Sequence, residues 1–434
     1  MTKAACNASP AEPVRGVPGA GRDAKSWLGQ AASGAALFLT LALGASVATA
    51  EEGFAPEYWE FFGEIEFEAT GFFEDPQFTG QDRDTLSLAG KATLLAEWLD
   101  GDLVFRVTPF ARVDSADDRR THADLREFKL DYVSGDWSFT LGADTLFWGK
   151  TEVVHLVDIV NQTDQVEDLD DEDRLGQPLV KIAYLSDLGE ISAFALPFFR
   201  ERPFPGVSGR LRFNPPVNTS QPIFETDAEE WTPSFALRYS GVIGDVDLGL
   251  SAFHGLSRDP SFRFDGRSLR PVYSRITQGG IDAQYTTGPT LWKFEGILRE
   301  GQRDSRGLRD TYVAATGGFE YTFFGLAESN ADLGLIGEYA WDQRADRALT
   351  TFQNDAIFGA RLALNDTKDT AFLLTSAIDL TDAETGLRLE AETRISTNWT
   401  LEVEAQGFVN TDRQGSAASF AEDSFVRAKL KWFF

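Results

Sequence analysis

Val426-Arg427-Ala428-Lys429-Leu430-Lys431-Trp432-Phe433-Phe434 is the stretch that decides the fold. Successive side chains of a strand point to opposite faces. Val426, Ala428, Leu430, Trp432 and Phe434 therefore share one face, and Arg427, Lys429 and Lys431 share the other. One face suits hydrocarbon and the other needs water.

The alternation recurs upstream. Leu401, Val403 and Ala405 oppose Glu402, Glu404 and Gln406, while Leu387, Leu389, Ala391 and Ile395 oppose Arg388, Glu390, Glu392 and Arg394. Phe105, Val107 and Val113 oppose Arg106, Thr108 and Arg112, and Ile65, Phe67 and Ala69 oppose Glu64, Glu66 and Glu68. About 18 such segments follow one another, with 16 possible because 178–199 and 368–379 alternate least clearly. The pattern predicts an all-β fold, a closed antiparallel transmembrane β-barrel. Short links at 99–102, 134–136, 186–189, 241–245, 286–289, 365–368 and 396–398 alternate with long ones at 71–84, 114–123, 148–178, 200–230, 257–274, 300–310, 342–354 and 410–423. Such a barrel has short periplasmic turns and long extracellular loops. Trp98, Trp137, Tyr239, Tyr285, Tyr321, Trp399 and Trp432 adjoin short links, where an interfacial girdle is expected.

Residues 1–50 read as a signal peptide. Lys3, Arg15, Arg22 and Lys25 precede an apolar run from Ala35 to Val47, and Ala48-Thr49-Ala50 offers a small-x-small cleavage pattern. The barrel is then 51–434, and the implied location is the bacterial outer membrane. Cys6 and Met1 are the only residues of their kinds, so thiol chemistry is excluded beyond the leader. The leader holds four basic and two acidic groups; without them 36 Lys and Arg face 66 Asp and Glu, a net charge of −30. Nucleic acid is excluded as a partner on that balance.

Inward-facing charges nearly balance, 13 basic against 16 acidic; among them Arg106, Arg112, Lys129, Arg238, Lys293, Arg361, Arg388, Arg394 and Arg427 mix with Glu338, Glu390 and Glu402. Water solvates such a lumen most easily, which suits a pore; the other reading is a narrow barrel whose charges pair and plug it. The excess acid then falls in the loops and makes an anionic outer rim. Glu167-Asp168-Leu169-Asp170-Asp171-Glu172-Asp173 is the densest run, and Asp168, Asp170, Asp171 and Asp173 are candidates for a surface Ca²⁺ site. Otherwise the run is a solvated acidic loop, no cofactor is expected, and metal binding has no stronger signal.

Loop 148–178 is the candidate constriction. Val153, Val154, Leu156, Val157, Ile159 and Val160 are too apolar for water, so the segment is expected to pack on the inner wall. Lys150, Glu152, His155, Asp158 and Asn161 then lie near the permeation path. The alternative is a cap above the membrane.

Two stretches carry a resemblance. The final strand resembles the C-terminal strand of outer-membrane proteins, which implies recognition by barrel-assembly machinery through Phe434. Gly142–Asp164, with Phe147-Trp148-Gly149 and Asp158-Ile159-Val160-Asn161-Gln162-Thr163-Asp164, resembles a motif of poorly characterised porin-like, export-channel outer-membrane proteins. Gln162 stands where that pattern has Pro. The resemblance implies a channel or exporter.

His122, His155 and His254 lack any recognisable catalytic motif, so no enzyme is expected. A plug domain ahead of the barrel is excluded, because alternation starts within fifteen residues of Glu51. The expected function is a porin-like channel for passive passage of small hydrophilic solutes, among outer-membrane lipid and lipopolysaccharide. The alternative is a non-conducting scaffold or adhesin acting through acidic, proline-containing loops that hold Pro203, Pro205, Pro215, Pro216 and Pro222.

Overall fold

The computed structural model describes residues 55–411 and 417–434; the leader reading at 1–50 lies outside the described residues. The strands are β1 (Tyr58–Phe72), β2 (Asp84–Trp98), β3 (Leu103–Asp114), β4 (His122–Ser134), β5 (Trp137–Asp144), β6 (Gln177–Ser186), β7 (Gly189–Leu196), β8 (Ile223–Phe224), β9 (Ser234–Ile243), β10 (Val246–Leu256), β11 (Ser261–Phe264), β12 (Leu269–Tyr273), β13 (Arg275–Thr287) and β14 (Thr290–Arg303). Then come β15 (Arg309–Phe323), β16 (Asp332–Asp342), β17 (Asn354–Ala363), β18 (Ala371–Asp379), β19 (Thr385–Ser396), β20 (Trp399–Val409) and β21 (Phe425–Phe433). Eighteen of them form one sheet, while β8, β11 and β12 form a small separate sheet within the long loops.

The sheet closes because β1 pairs antiparallel with both β2 and β21. Gly63 and Phe434 complete the seam: the Phe434 N–H donates to the Gly63 carbonyl at 3.0 Å and the Gly63 N–H to Phe434 at 3.1 Å. No helix among the described residues is long and apolar enough to cross a membrane. Polarity is inverted relative to a soluble sheet. On β1, Glu66, Glu68 and Thr70 are buried while Phe67 is exposed, and Phe128, Leu130, Leu141, Leu250 and Phe294 likewise point outward.

The segments that alternate poorly resolve into β6, β7 and β18, so the count is 18 and not 16. Pro178 weakens the β6 pattern, and it sits at the second strand position, where the missing N–H is tolerated. Link lengths separate the two rims with two departures. The 324–331 link lies on the short rim but makes a 3-10 turn at Leu326–Glu328. The 380–384 link lies on the long rim yet is tight, because Asp379 accepts from the Thr381 N–H at 2.6 Å and draws the hairpin closed. Aromatic pairs line the short rim, including Trp137 with Tyr184 at 4.8 Å and Trp399 with Trp432 at 6.4 Å. At the long rim, 197–233 reaches across the mouth. Arg210 pairs with Asp423 at 2.7 Å, and Gln81 donates to the Gly209 carbonyl at 2.6 Å.

One irregularity sets the chemistry of the wall. Between β3 and β4 the register jumps, so that Thr108 faces Glu127 but Pro109 faces Leu125, which leaves Arg126 as an extra residue. Proline cannot donate to the ladder and belongs at a bulge. The bulge reverses the even–odd phase of β4: Glu127 and Lys129 face inward below it, and His122, Asp124 and Arg126 face inward above it. Without it, the upper three would face outward.

A charge placed on the outward face must be buried in hydrocarbon. Leu250→Arg, near the middle of β10, should cost about 2–4 kcal/mol in denaturant unfolding from lipid vesicles. A cost near zero would mean that this face meets water.

Candidate functional site

The link 145–176 runs inside the barrel and is fastened at two ends by different physics. Its first arm is apolar. Val157, Ile159 and Val160 are fully buried and pack with Trp148 against inward-facing Leu179, Phe194, Phe253, Ile276, Ile297 and Ala314. Val154 packs on Ala340 and Ile357. Each fully buried aliphatic side chain contributes roughly 1.5–3 kcal/mol before ordering costs. The inner wall from β6 to β17 is thus apolar where the arm lies.

Two wall carboxylates hold the tip of that arm through its backbone. Glu295, fully buried on β14, accepts from the N–H groups of Lys150 at 2.6 Å, Thr151 at 3.1 Å and Val157 at 3.2 Å, and from the Thr151 hydroxyl at 2.9 Å. Glu338 on β16 accepts from the Glu152 N–H at 2.9 Å. The Glu152 side chain bridges Lys293 at 3.1 Å and Arg361 at 2.5 Å. Burial pushes the Glu152 carboxyl up, but Lys293 and Arg361 outweigh it and hold it below the usual range.

The second arm is ionic. Asp164 pairs with Arg126 at 2.6 Å, Glu167 with Arg112 at 2.8 Å, Asp168 with Arg427 at 2.5 Å and Asp170 with Arg388 at 2.8 Å. Arg112 also reaches Glu66 at 2.9 Å and Glu68 at 3.3 Å, and Arg120 reaches Glu68 at 2.6 Å. The loop therefore spans the lumen from β14–β17 to β19, β21, β3 and β4.

Several expected residues meet here and others do not. Arg112, Lys293, Glu338, Arg361, Arg388 and Arg427 bind the loop directly. Arg238 pairs with Asp282 at 2.9 Å beneath the Trp148 ring. Lys129 pairs with Asp144 at 2.7 Å, Arg106 with Glu127 at 3.8 Å, Glu390 with Arg388 at 2.5 Å, Glu402 with Lys431 at 2.5 Å, and Arg394 with Asp369 at 2.6 Å. The Lys150 side chain is half-buried, and His155 stacks edge-on against Phe147 at 4.8 Å.

Three expectations are corrected. Asn161 is buried and does not line a path: its Nδ2 donates to the carbonyls of Asp144 at 2.8 Å and Leu175 at 2.9 Å, and its Oδ1 accepts from the Leu146 N–H at 2.9 Å. Asp158 is likewise internal, accepting from the Trp148 N–H at 2.6 Å and facing Arg174 at 3.4 Å. The acidic run is not a free anionic rim, because the lumen arginines that looked destined for solutes neutralise Glu167, Asp168 and Asp170. Of the four candidate Ca²⁺ ligands, Asp168 and Asp170 are thus held by Arg427 and Arg388, and Asp171 faces Arg202 at 4.0 Å.

Sequence reasoning missed Glu295 and Arg126. Glu295 has the inward parity of Lys293, but nothing local marks a carboxylate that will accept backbone N–H groups. For Arg126 the signal was present in Pro109 and in the broken alternation Leu125-Arg126-Glu127-Phe128.

No protein-family model matches the chain, and no curated protein matches it. Among solved structures, a variant of a porin of Rh. blastica is similar at 13% identity, over 87% of this chain and 100% of that one, with a TM-score of 0.44. OmpT, an outer membrane protein of Vibrio cholerae, in a form lacking its loop L8, is similar at 10% identity over 87% and 99%, with a TM-score of 0.40. Likeness at these values carries no weight for function.

Two outcomes follow from the fastening. Glu295→Leu strands three N–H groups, of which those of Thr151 and Val157 are buried, and an unsatisfied buried group costs about 1–3 kcal/mol. Losing about 2 kcal/mol of docking should speed trypsin cleavage after Lys150 by roughly 30-fold; an unchanged rate would show that the apolar contacts alone hold the arm. At the ionic end, burial raises the Asp168 carboxyl, but Arg427 and Arg388 outweigh it and hold it below the usual range. A depressed carboxylate contributes stability above its unfolded pKa, and this is lost as pH falls through the lower folded value. A fluorophore on Asp171→Cys should keep its anisotropy from neutral pH to about pH 4 and lose it only in stronger acid. Loss between pH 7 and 5 would contradict this.

Proposed function

We propose that the chain is a bacterial outer-membrane channel for passive passage of small hydrophilic solutes, with loop 145–176 as its constriction. One observation carries this reading: charged residues of inward parity remain open to water, with Arg361 and Glu390 next to the loop's own ion pairs. Lys91 is 47%, Arg106 37%, Arg361 41%, Glu390 43% and Arg394 52% exposed. A plugged barrel would have to bury these charges, at several kcal/mol each unless fully paired. The loop narrows the interior without filling it, and the open charges stand on β2 and β3 as well as on β17 and β19.

The free space is lined by both signs. Glu152 lies between Lys293 and Arg361, while Arg388 lies among Asp170, Glu390 and Glu404. Opposed charges across a narrow aqueous gap orient dipolar solutes and penalise apolar ones. No catalytic role is proposed: His254 bonds Thr277 and Arg275 at the end of β10, and His155 packs on Phe147. Partners under this reading are outer-membrane lipid, lipopolysaccharide, the assembly machinery that engages β21 and its Phe434 end, and small solutes.

The second reading, a non-conducting scaffold, draws on the interlocked long loops. Arg210 ties 197–233 to Asp423, and Phe204, Phe213, Phe262 and Phe420 form one aromatic cluster over the mouth. Planar bilayers separate the two. The parent protein should give reproducible single-channel steps, and deletion of 153–175 should raise the conductance of each step. A parent that never conducts would favour the scaffold, and a deletion that conducts no better would remove the loop's role as constriction.

A further inference from the structure

His122, Asp164 and Glu167 form a cluster whose ligand atoms all lie within 4.8 Å of one another. His122 opens β4 above the bulge, and the other two come from the ionic arm of the inward loop, where the Glu167 N–H donates to the Asp164 carbonyl at 3.0 Å and holds them one turn apart. His122 Nε2 stands 3.4 Å from Asp164 Oδ2 and 3.3 Å from Glu167 Oε1. Zinc bonds of about 2.0–2.2 Å to nitrogen and oxygen place neighbouring tetrahedral ligand atoms about 3.3–3.6 Å apart. The two distances fall in that interval.

Two further observations point to a bound ion. Both ring nitrogens of His122 and the Oδ1 of Asp164 are buried atoms without a hydrogen-bond partner, and Asp164 is fully buried. Such groups are costly unless something meets them. The charge balance is also short of cations. Followed through its ion pairs among the described residues, the network around the cluster holds eleven carboxylates against seven guanidinium and ammonium groups. Arg112 and Arg126 bond the same carboxylates, as outer-shell donors to metal ligands commonly do. The Phe110 ring, 5.6 Å from His122, fixes the imidazole from the wall side.

We propose that His122, Asp164 and Glu167 bind one zinc-class divalent cation, with water as the fourth ligand, and that this ion pins the inward loop to β4. One nitrogen and two carboxylates suit Zn²⁺, whereas Ca²⁺ wants six to eight oxygen ligands. The site rests on loop and wall geometry and does not depend on conduction.

The test uses the full mature barrel refolded in detergent and stripped with chelator. It should take up one Zn²⁺ per chain, and Co²⁺ should give the visible absorption of a four-coordinate ion. H122Q, which removes a side chain with no hydrogen bond to lose, should weaken Zn²⁺ binding by at least about 100-fold and abolish the Co²⁺ spectrum. D164N should do likewise, while H155Q should bind as the parent does. Heat-dependent gel mobility confirms that each variant is folded. A folded parent that binds no Zn²⁺, a folded H122Q that binds as tightly as the parent, or an equal loss in H155Q would each overturn the proposal.

Discussion

Hydrocarbon offers no hydrogen bonds, so every peptide group that enters it must find its partner in the chain. That constraint forces β21 back onto β1, with the Gly63–Phe434 pairs finishing the seam. It also allows a side-chain pattern that a soluble sheet would not survive, with Glu66, Glu68 and Arg112 inside and Phe67, Phe128 and Phe294 outside. Closure comes first, and the inverted polarity is affordable only because of it.

Within the closed wall the inversion is locally undone. From β6 to β15 the inner surface turns apolar, at Leu179, Phe194, Phe253, Ile276 and Ile297, and the arm of the inward loop covers that patch with Val157, Ile159 and Val160. From β19 round to β4 the same surface sets arginines among its own carboxylates, and the loop adds Glu167, Asp168 and Asp170 as further partners for Arg112, Arg427 and Arg388. Loop and wall are complementary twice over, once by shape and once by charge. Neither half alone fixes where the loop lies; together they leave it one path across the interior.

The barrel was legible because its signal is local. Parity and link length are properties of neighbouring residues, and they located strands, rims and the aromatic girdle directly. The apolarity of Val153–Val160 was equally local and marked a segment unsuited to water. What escaped were the pairings across the lumen. Glu167 and Arg112 are buried together at 2.8 Å, but nothing beside either residue names the other. The acidic run therefore looked like solvated surface, and the arginines looked like free lumen charges. Asn161 and Asp158 misled in the same way: polar residues in a loop suggest exposure, and here they close the loop on itself.

The unlike fastenings at the two ends of the loop have a consequence for how the interior responds to its surroundings. Dissolved ions screen charges that water can reach, over about 8 Å at physiological strength, and leave dry contacts nearly untouched. Cooling does the reverse, weakening apolar burial while sparing ion pairs. The Arg112–Glu167 and Arg427–Asp168 side chains are no more than 6% exposed, so brine would leave that end of the strap nearly as it is, and cold would slacken the other end first.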